Sequence, residues 1–205
     1  MLKDKKILFF TVKCITFYLL MLMMSSYLNF DKKYANHFRG FCKYWFQSFE
    51  QKGDVRFHKL KSEKLDTHIE LGNKDMMRKA RYQGKTEVKK MWVKVSSHRI
   101  GFLPMIIFLA LLFATPLSWF SKLKAAIAGL IGIYIFIYFQ VWVVIAYNFD
   151  KYDWLNVINL SLFYENAITF FHNRILISTS TTLLIPVFIW VLVSFTRKSY
   201  EDALG

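Results

Sequence analysis

The chain has 205 residues, of which 55% are hydrophobic and 19% aromatic, and its formal net charge is +14. This hydrophobicity excludes a mostly disordered chain, because disorder requires low hydrophobicity. The two cysteines, Cys14 and Cys42, are too few for a disulfide scaffold, and no cluster of cysteine and histidine has the spacing of a zinc site. The length allows one domain or one modest membrane bundle. The composition therefore indicates a basic membrane protein.

Four apolar stretches meet or approach the roughly 20 residues that a helix needs to cross about 30 Å of hydrocarbon. They are Ile7–Leu28, Gly101–Phe120, Ala125–Tyr147 and Leu183–Phe195. The last stretch is short and must borrow Ile175–Thr182, whose hydroxyl side chains can bond back to the helix backbone. We therefore predict about four transmembrane helices, with a kink at Pro186.

Basic residues in the short segments predict the orientation, since lysine and arginine are concentrated on the cytoplasmic side. With four spans, three short basic segments share one side of the membrane. They carry Lys3, Lys5 and Lys6, then Lys122 and Lys124, then Arg197 and Lys198. Both termini are thus predicted to be cytoplasmic and residues 29–100 extracytoplasmic, in a loop long enough to be exempt from the rule.

The first stretch can also be interpreted as a signal peptide, because a basic start precedes its apolar core. Its length and the poor cleavage site at Ser25-Ser26 favour an uncleaved N-terminal anchor over residues 1–28.

Residues Phe30–Gln51 have the pattern of an amphipathic helix. Six aromatic residues recur at spacings of three and four: Phe30, Tyr34, Phe38, Phe41, Trp45 and Phe49. Lys32, Arg39 and Lys43 fall on the opposite side. Such a helix either lies in the membrane interface or packs against strands of its own loop, and the sequence leaves both open.

Residues 53–100 change to the period of two that is typical of strands. Alternation is clear in Val55–Phe57, Thr67–Leu71 and Met91–Val95, and Gly53, Gly72-Asn73 and Gly84 are turn candidates. The pattern predicts a three- or four-stranded antiparallel meander with one polar face. The predicted fold class is therefore α+β: a helical membrane protein with a small antiparallel β-rich extracytoplasmic segment.

The charge of the outer segment suggests an anionic neighbour. Residues 29–100 hold 18 basic and 8 acidic residues. Lipid headgroups, a charged envelope polymer or an acidic protein would all fit, with Lys32, Arg39 and Lys43 as candidate contacts. The alternative is a solvated basic face that keeps a small sheet from aggregating.

The second outer segment, residues 148–174, is rich in aromatic residues and predicts a further helix partly buried in the interface. The remaining chain is then divided into a transmembrane hairpin over 101–147 and a last helix with a cytoplasmic tail over 175–205.

Catalytic signals are weak. The phosphate-loop, HExxH, GxSxG and GxGxxG motifs are all missing from the sequence. Glu165 and His172 are seven residues apart and can share a helical face as an acid–base pair. Cys42 lies near basic residues that favour a thiolate. Because a nucleophile also needs a base and an oriented site, these two possibilities remain minor alternatives.

Helix-packing signals are stronger. Ala125/Gly129 and Ala128/Gly132 are overlapping pairs of small residues four apart, which let helix backbones approach closely. Gln140 is the only strongly polar residue inside a confident span, and its amide needs a partner in this chain or in another subunit. We therefore predict Gly129, Gly132, Gln140 and Trp142 as packing or partner contacts.

Residues 98–147 show a recognisable order of features: Gly101-x-x-Pro104, an apolar run, Ala114-Thr115-Pro116, Trp119, a basic turn, a glycine-containing span and Gln140-x-Trp142. Together with a last span that contains Pro186 and Trp190, this order resembles the exosortase H-associated membrane proteins of the bacterial inner membrane. The resemblance implies an N-terminal anchor, an outer β-rich segment, three later hydrophobic segments and partnership with an exosortase, which processes proteins that carry a C-terminal sorting tail. It supplies no catalytic residues.

The sequence thus predicts a non-enzymatic accessory protein of the inner membrane that contacts lipid and, through its basic outer segment, an exosortase or its substrate tail. It predicts no cofactor, no metal and no nucleic-acid partner. A subunit of a transport or secretion complex is one alternative. A small membrane enzyme that uses Glu165 and His172, or Cys42, is the other.

Overall fold

The computed structural model describes residues 2–60, 65–85, 88–176 and 179–194. These residues are mostly helical and include one small antiparallel sheet, as the predicted α+β class requires. They form two compact units. The helical unit comprises described residues of 1–32, 99–137 and 179–205, and the sheet unit those of 33–98 and 138–178. The predicted basic tail with Arg197 and Lys198 lies outside the described residues.

The helical unit is organised around α4, Leu103–Ala114. Helices α1, Leu2–Tyr27, and α7, Thr179–Ser194, both pack against it. The beginning of α5, Trp119–Lys151, adds Gly129 against the ring of Phe108. No residue of α4 is exposed. The exposed large apolar side chains of this unit lie instead on α1, α5 and α7. They include Ile7, Leu8, Val12, Leu19, Met23, Leu123, Ile127, Ile131, Ile135, Leu184, Phe188 and Leu192.

Two helices of the described chain are long and apolar enough to cross a membrane, rather than the four predicted. They are Lys5–Tyr27 and Trp119–Lys151. The other two apolar helices, His98–Ala114 and Thr182–Ser194, have no more than 17 residues each. At about 1.5 Å per residue, neither reaches across about 30 Å of hydrocarbon unaided.

The predicted span Gly101–Phe120 ends early because of Pro116. Proline lacks an N–H and disfavours the α conformation at the residue before it. Thr115 is accordingly extended, with φ −69° and ψ 134°, and α4 ends at Ala114. A five-residue π-helical turn, His98–Phe102, precedes α4 and completes its apolar stretch.

Helix α5 begins earlier than predicted, at Trp119 instead of Ala125. The backbone N–H of Ser121 donates to Ser118 Oγ at 3.3 Å, which caps the helix start. Lys122 and Lys124 therefore lie within α5 and not in the turn, which is confined to residues 115–118. Lys122 Nζ donates to the carbonyl oxygen of Phe113 at 3.0 Å and so caps the end of α4.

The sheet unit contains the predicted meander. Its strands are β1, Ser48–Phe49; β2, Gly53–Lys59; β3, Thr67–Asn73; and β4, Met91–Val95. They pair in the order β1-β2-β3-β4, and every pair is antiparallel. One face is apolar, and its side chains Val55, Ile69 and Leu71 are fully buried.

The predicted amphipathic helix is α2, Phe30–Phe46, which ends before the β1 strand that takes up Phe49. Its buried side includes Tyr34, Phe38, Cys42 and Phe46. The Phe46 ring stacks on Tyr138 with centroids 4.9 Å apart. This face of the helix is therefore covered by protein, while Trp45 remains exposed.

A helix that the sequence pattern did not predict, α3, Lys74–Tyr82, lies between β3 and β4. Asn73 Oδ1 accepts hydrogen bonds from the N–H groups of Asp75 (2.7 Å) and Met76 (3.2 Å), so Gly72-Asn73 begins a helix and is not a simple turn. Asn73 Nδ2 donates to the carbonyl oxygen of Leu155 at 2.6 Å, which ties this corner to the segment 148–174.

The segment 148–174 has less helix than predicted after the end of α5. A short 3-10 turn covers Asp153–Leu155, and α6 covers Leu162–Phe170. A π-helical turn, Phe171–Leu176, follows. Leu155 is fully buried, whereas Leu162 and Phe163 are exposed.

Candidate functional site

The polar face of the sheet gathers the ionisable side chains of three strands. The register aligns Arg56, Glu70 and Trp92 in one row and His58, His68 and Lys94 in the next. Because alternate residues of a strand point to the same side, these six side chains share the face opposite Ile69 and Leu71. We call this surface the polar face.

Glu70 is the centre of the polar face. It is only 5% exposed, and a carboxylate at such burial requires partners. His58 Nε2 donates to Glu70 Oε2 at 3.0 Å, and Lys90 Nζ lies 2.7 Å from Glu70 Oε1. Burial raises the pKa of Glu70, but Lys90 and His58 together lower it further, so the net pKa lies below the ordinary value. The carboxylate therefore stays ionised.

An exposed indole lies between two imidazoles beside this ion pair. The Trp92 ring centroid is 5.7 Å from that of His58 and 5.6 Å from that of His68. His68 Nε2 is enclosed and has no hydrogen-bond partner within the described residues. Trp92 itself is 48% exposed. We call His58, His68, Glu70, Lys90 and Trp92 the Glu70 cluster.

The Glu70 cluster pairs a carboxylate with an imidazole and contains no cysteine, serine or threonine. A carboxylate that orients an imidazole is half of an acid–base system, but a nucleophile must lie within hydrogen-bond reach of the base. The cysteine candidate, Cys42, is fully buried in α2, and burial raises the pKa of its thiol far above the usual range. Among the described residues, no group of three or more histidine, cysteine, aspartate or glutamate side chains is placed to hold a metal ion.

The candidate anionic-surface residues have different roles. Lys43 is exposed on α2, and Lys32 is exposed and donates to Asn29 Oδ1 at 3.0 Å. Arg39 is half-buried. It donates to the carbonyl oxygen of Asp66 at 3.2 Å and to Thr67 Oγ1 at 3.4 Å, so it fixes α2 to the start of β3.

The Asp66 carboxylate extends this network to the end of β4. Asp66 Oδ1 accepts from the backbone N–H of Ser97 at 3.0 Å and from Thr67 Oγ1 at 2.9 Å, and Asp66 Oδ2 accepts from Ser97 Oγ. Three elements, α2, β3 and the segment after β4, are thus held together at one end of the sheet.

The two candidate glycines lie in the helical unit, within this chain. A Cβ on Gly129 would lie 1.9 Å from Phe108 Cζ, and a Cβ on Gly132 would lie 3.4 Å from Ile189 Cγ2. The small-residue face of α5 is therefore occupied by α4 and α7. The Trp190 indole also donates to Thr115 Oγ1 at 2.9 Å, which links α7 to the end of α4.

Gln140 and Trp142 lie in the part of α5 that belongs to the sheet unit. Gln140 is buried, and within the described chain its Oε1 has no hydrogen-bond partner. Trp142 is half-buried.

Glu165 and His172 form no ion pair in the part of the chain that the structure describes. Glu165 is exposed in the first turn of α6. The His172 ring stacks on Tyr147 with centroids 3.8 Å apart and planes 9° apart, and its Nδ1 lies 3.0 Å from Asn173 Oδ1. The stacked ring accounts for the position of His172 without an acid–base role.

Searches with the whole chain match no protein-family model, no curated protein and no solved structure. The function must therefore be inferred from the residues of this chain. The resemblance to the exosortase H-associated proteins stays a prediction.

Proposed function

We propose that this chain is a non-enzymatic integral membrane accessory protein that binds an anionic partner through the polar face of its sheet. The observation that carries the proposal is the charge arrangement on that face. The acidic side chains are already neutralised, because Asp54 pairs with Arg56 at 2.9 Å and Glu70 with Lys90 at 2.7 Å. Lys94 and the exposed Trp92 are left to face a ligand.

The distribution of apolar surface supports a membrane location. Exposed Ile, Leu, Val, Met and Phe side chains along α1 and α5 would be costly in water and are expected in lipid. Helix α4 is short, but α1, α5 and α7 enclose it, so the helical unit can hold it at membrane depth. We propose four membrane segments, of which only α1 and α5 are long enough to span the membrane alone among the described helices. The bacterial inner membrane, the cytoplasmic termini and the extracytoplasmic segment 29–100 are proposed from the sequence.

The proposed partner system is an exosortase-type sorting apparatus, which rests on the resemblance of residues 98–147. An accessory role fits a chain whose candidate nucleophile, Cys42, is buried. An exosortase, or the tail of its substrate, would then meet the polar face outside the membrane.

A second candidate function is a subunit of a transport or secretion complex. The observation that bears on it is Gln140 Oε1, which has no hydrogen-bond partner in the described chain but is buried within it, so another subunit has no access to this oxygen. The occupied face of Gly129 weighs against this candidate, because Phe108 already fills it.

Site-specific photo-crosslinking in native membranes tests the first proposal. A photoreactive residue at Lys94 should capture an envelope protein, whereas one at Lys79, an exposed lysine of α3, serves as the matched control. Equal capture at the two positions, or capture of lipid alone, would contradict the proposal.

A reporter fused after Gly84 tests the topology separately. Activity of this reporter only in the cytoplasm would refute the extracytoplasmic location of residues 29–100.

A further inference from the structure

Strand β4 forms one edge of the sheet. One side of Met91–Val95 pairs with β3, and within the described residues no strand pairs with the other side. Alternate N–H and C=O groups along such an edge are available to another extended chain. The edge contains neither a proline nor a bulge, so its protections against strand addition are its short length and the charge of Lys94.

The side chains beside this edge fit an extended ligand. Trp92 and Lys94 are exposed on the polar face, and Met91 and Val93 are half-buried on the other. An added strand would place alternate side chains against the Trp92 indole on the polar face and against the Val93 side chain on the opposite face. This alternation is how sheet edges select peptide sequences.

The charge of the edge indicates the kind of peptide. Residues 88–95 contain Lys89, Lys90 and Lys94 and no acidic residue. Lys90 is paired with the buried Glu70, and Lys89 lies over the Trp154 ring at 4.7 Å. Lys94 is exposed on the polar face. Charge complementarity therefore favours an acidic segment over a neutral or basic one.

We propose that the outer edge of β4 binds an acidic, extended peptide segment of a partner protein as an added strand. This inference deepens the proposed function, on which it rests, by naming the partner chemistry. Backbone hydrogen bonds would supply affinity, and Trp92 and Lys94 would supply selectivity.

Peptides with blocked N–H groups provide the test. The full chain, in nanodiscs of neutral lipid, is titrated with a fluorescent octapeptide of alternating glutamate and valine, and binding is followed by anisotropy. Two further peptides carry N-methyl groups at the odd or at the even residues. Only every second N–H of an added strand faces the sheet, so one methylated peptide should bind like the parent and the other about tenfold more weakly or worse.

Equal affinity of the two methylated peptides would overturn the inference, because charge alone would then explain binding. Absence of binding by the parent peptide would overturn it as well. If anionic vesicles compete with all three peptides alike, the surface recognises lipid headgroups and not a strand.

Substitutions in the protein locate the site. Lys94→Glu should weaken binding of the parent peptide about fivefold, while the matched Lys79→Glu on α3 should leave it unchanged. Equal effects of the two variants would place the site elsewhere. If the peptides fail to bind but crosslinking at Lys94 still captures an envelope protein, this inference fails and the proposed function stands.

Discussion

The ring of Phe108 fills the space above Gly129, so that a Cβ at position 129 would lie 1.9 Å from Phe108 Cζ. Three atoms of the ring lie within 2.7 Å of that point. An alanine at position 129 therefore requires the Phe108 ring to shift, and that ring is itself fully buried.

Gly129→Ala should therefore lower the free energy of unfolding by about 1–3 kcal/mol, the usual cost of overpacking a core. Gly132→Ala is the matched control, because its Cβ would meet Ile189 at an ordinary 3.4 Å. That variant should be neutral, or gain up to about 1 kcal/mol from helix propensity. Thermal unfolding in detergent measures both, and equal effects would contradict the packing. Adding Phe108→Leu to Gly129→Ala should restore part of the loss.

Glu70 should make stability depend on pH in the acid range. Since its pKa is lowered in the folded protein, the ion pairs stabilise the fold above the ordinary value of 4.5. The stability that these ion pairs contribute is lost as the pH falls from 4.5 through the lower pKa that Glu70 has in the folded protein. Glu70→Gln lacks this titration, so the difference in unfolding midpoint between the two proteins should shrink between about pH 7 and about pH 3.

The comparison with Glu70→Gln removes the contribution of every other carboxylate, because both proteins contain them. A difference that stays constant down to the lowest pH would show that Lys90 and His58 do not stabilise the ionised carboxylate.

Cys42 should be unreactive in the folded protein. In a Cys14→Ala background, a water-soluble thiol reagent should modify Cys42 at least about a hundredfold more slowly in the native state than after denaturation, because the thiol is buried and protonated. Rapid modification of the native protein would revive the nucleophile hypothesis. Cys42→Ala should also leave crosslinking at Lys94 intact.

The Asn73 side chain caps α3 and also bonds to Leu155, and two substitutions can separate these roles. Asn73→Ser should keep the cap of α3, because a hydroxyl accepts from the first N–H groups, but should lose the bond to Leu155. Asn73→Ala should lose both, at a cost of about 2 kcal/mol. Hydrogen exchange distinguishes the two variants: α3 should lose protection only with alanine, and residues 153–155 with either. Loss of protection in α3 with serine would contradict the capping role.

The alternation of apolar residues was sufficient to predict the sheet. Thr67, Ile69 and Leu71 repeat every second residue, and the same repeat in Met91, Val93 and Val95 predicted the neighbouring strand. The structure pairs them as Thr67 with Val95, Ile69 with Val93 and Leu71 with Met91. Period-two patterns work here because one face of this sheet is buried.

The burial of Glu70 could not be predicted in the same way. Its position in the alternation places it on the polar face, and nothing local marks it as buried. Long side chains from the neighbouring strands, Trp92 and His58, and from Lys90 just before β4 cover it. Such coverage depends on contacts between strands that are distant in sequence.

Two local signals were present and were missed. Thr115 precedes a proline, which is a common end for a helix, yet the apolar run through Pro116 suggested a longer span. Asn73 followed by Asp75 is typical of a helix start, but the polar composition of Lys74–Tyr82 concealed α3.

Under the proposed membrane location, the enclosure of α4 has a consequence for biogenesis. A helix of twelve residues is too short to partition stably into lipid alone. With only residues 115–118 before α5, the two helices should leave the insertion machinery as a hairpin, and α4 should be retained only once α1, α5 and α7 surround it. Truncation of the nascent chain before α5 is therefore expected to release α4 back into the aqueous channel.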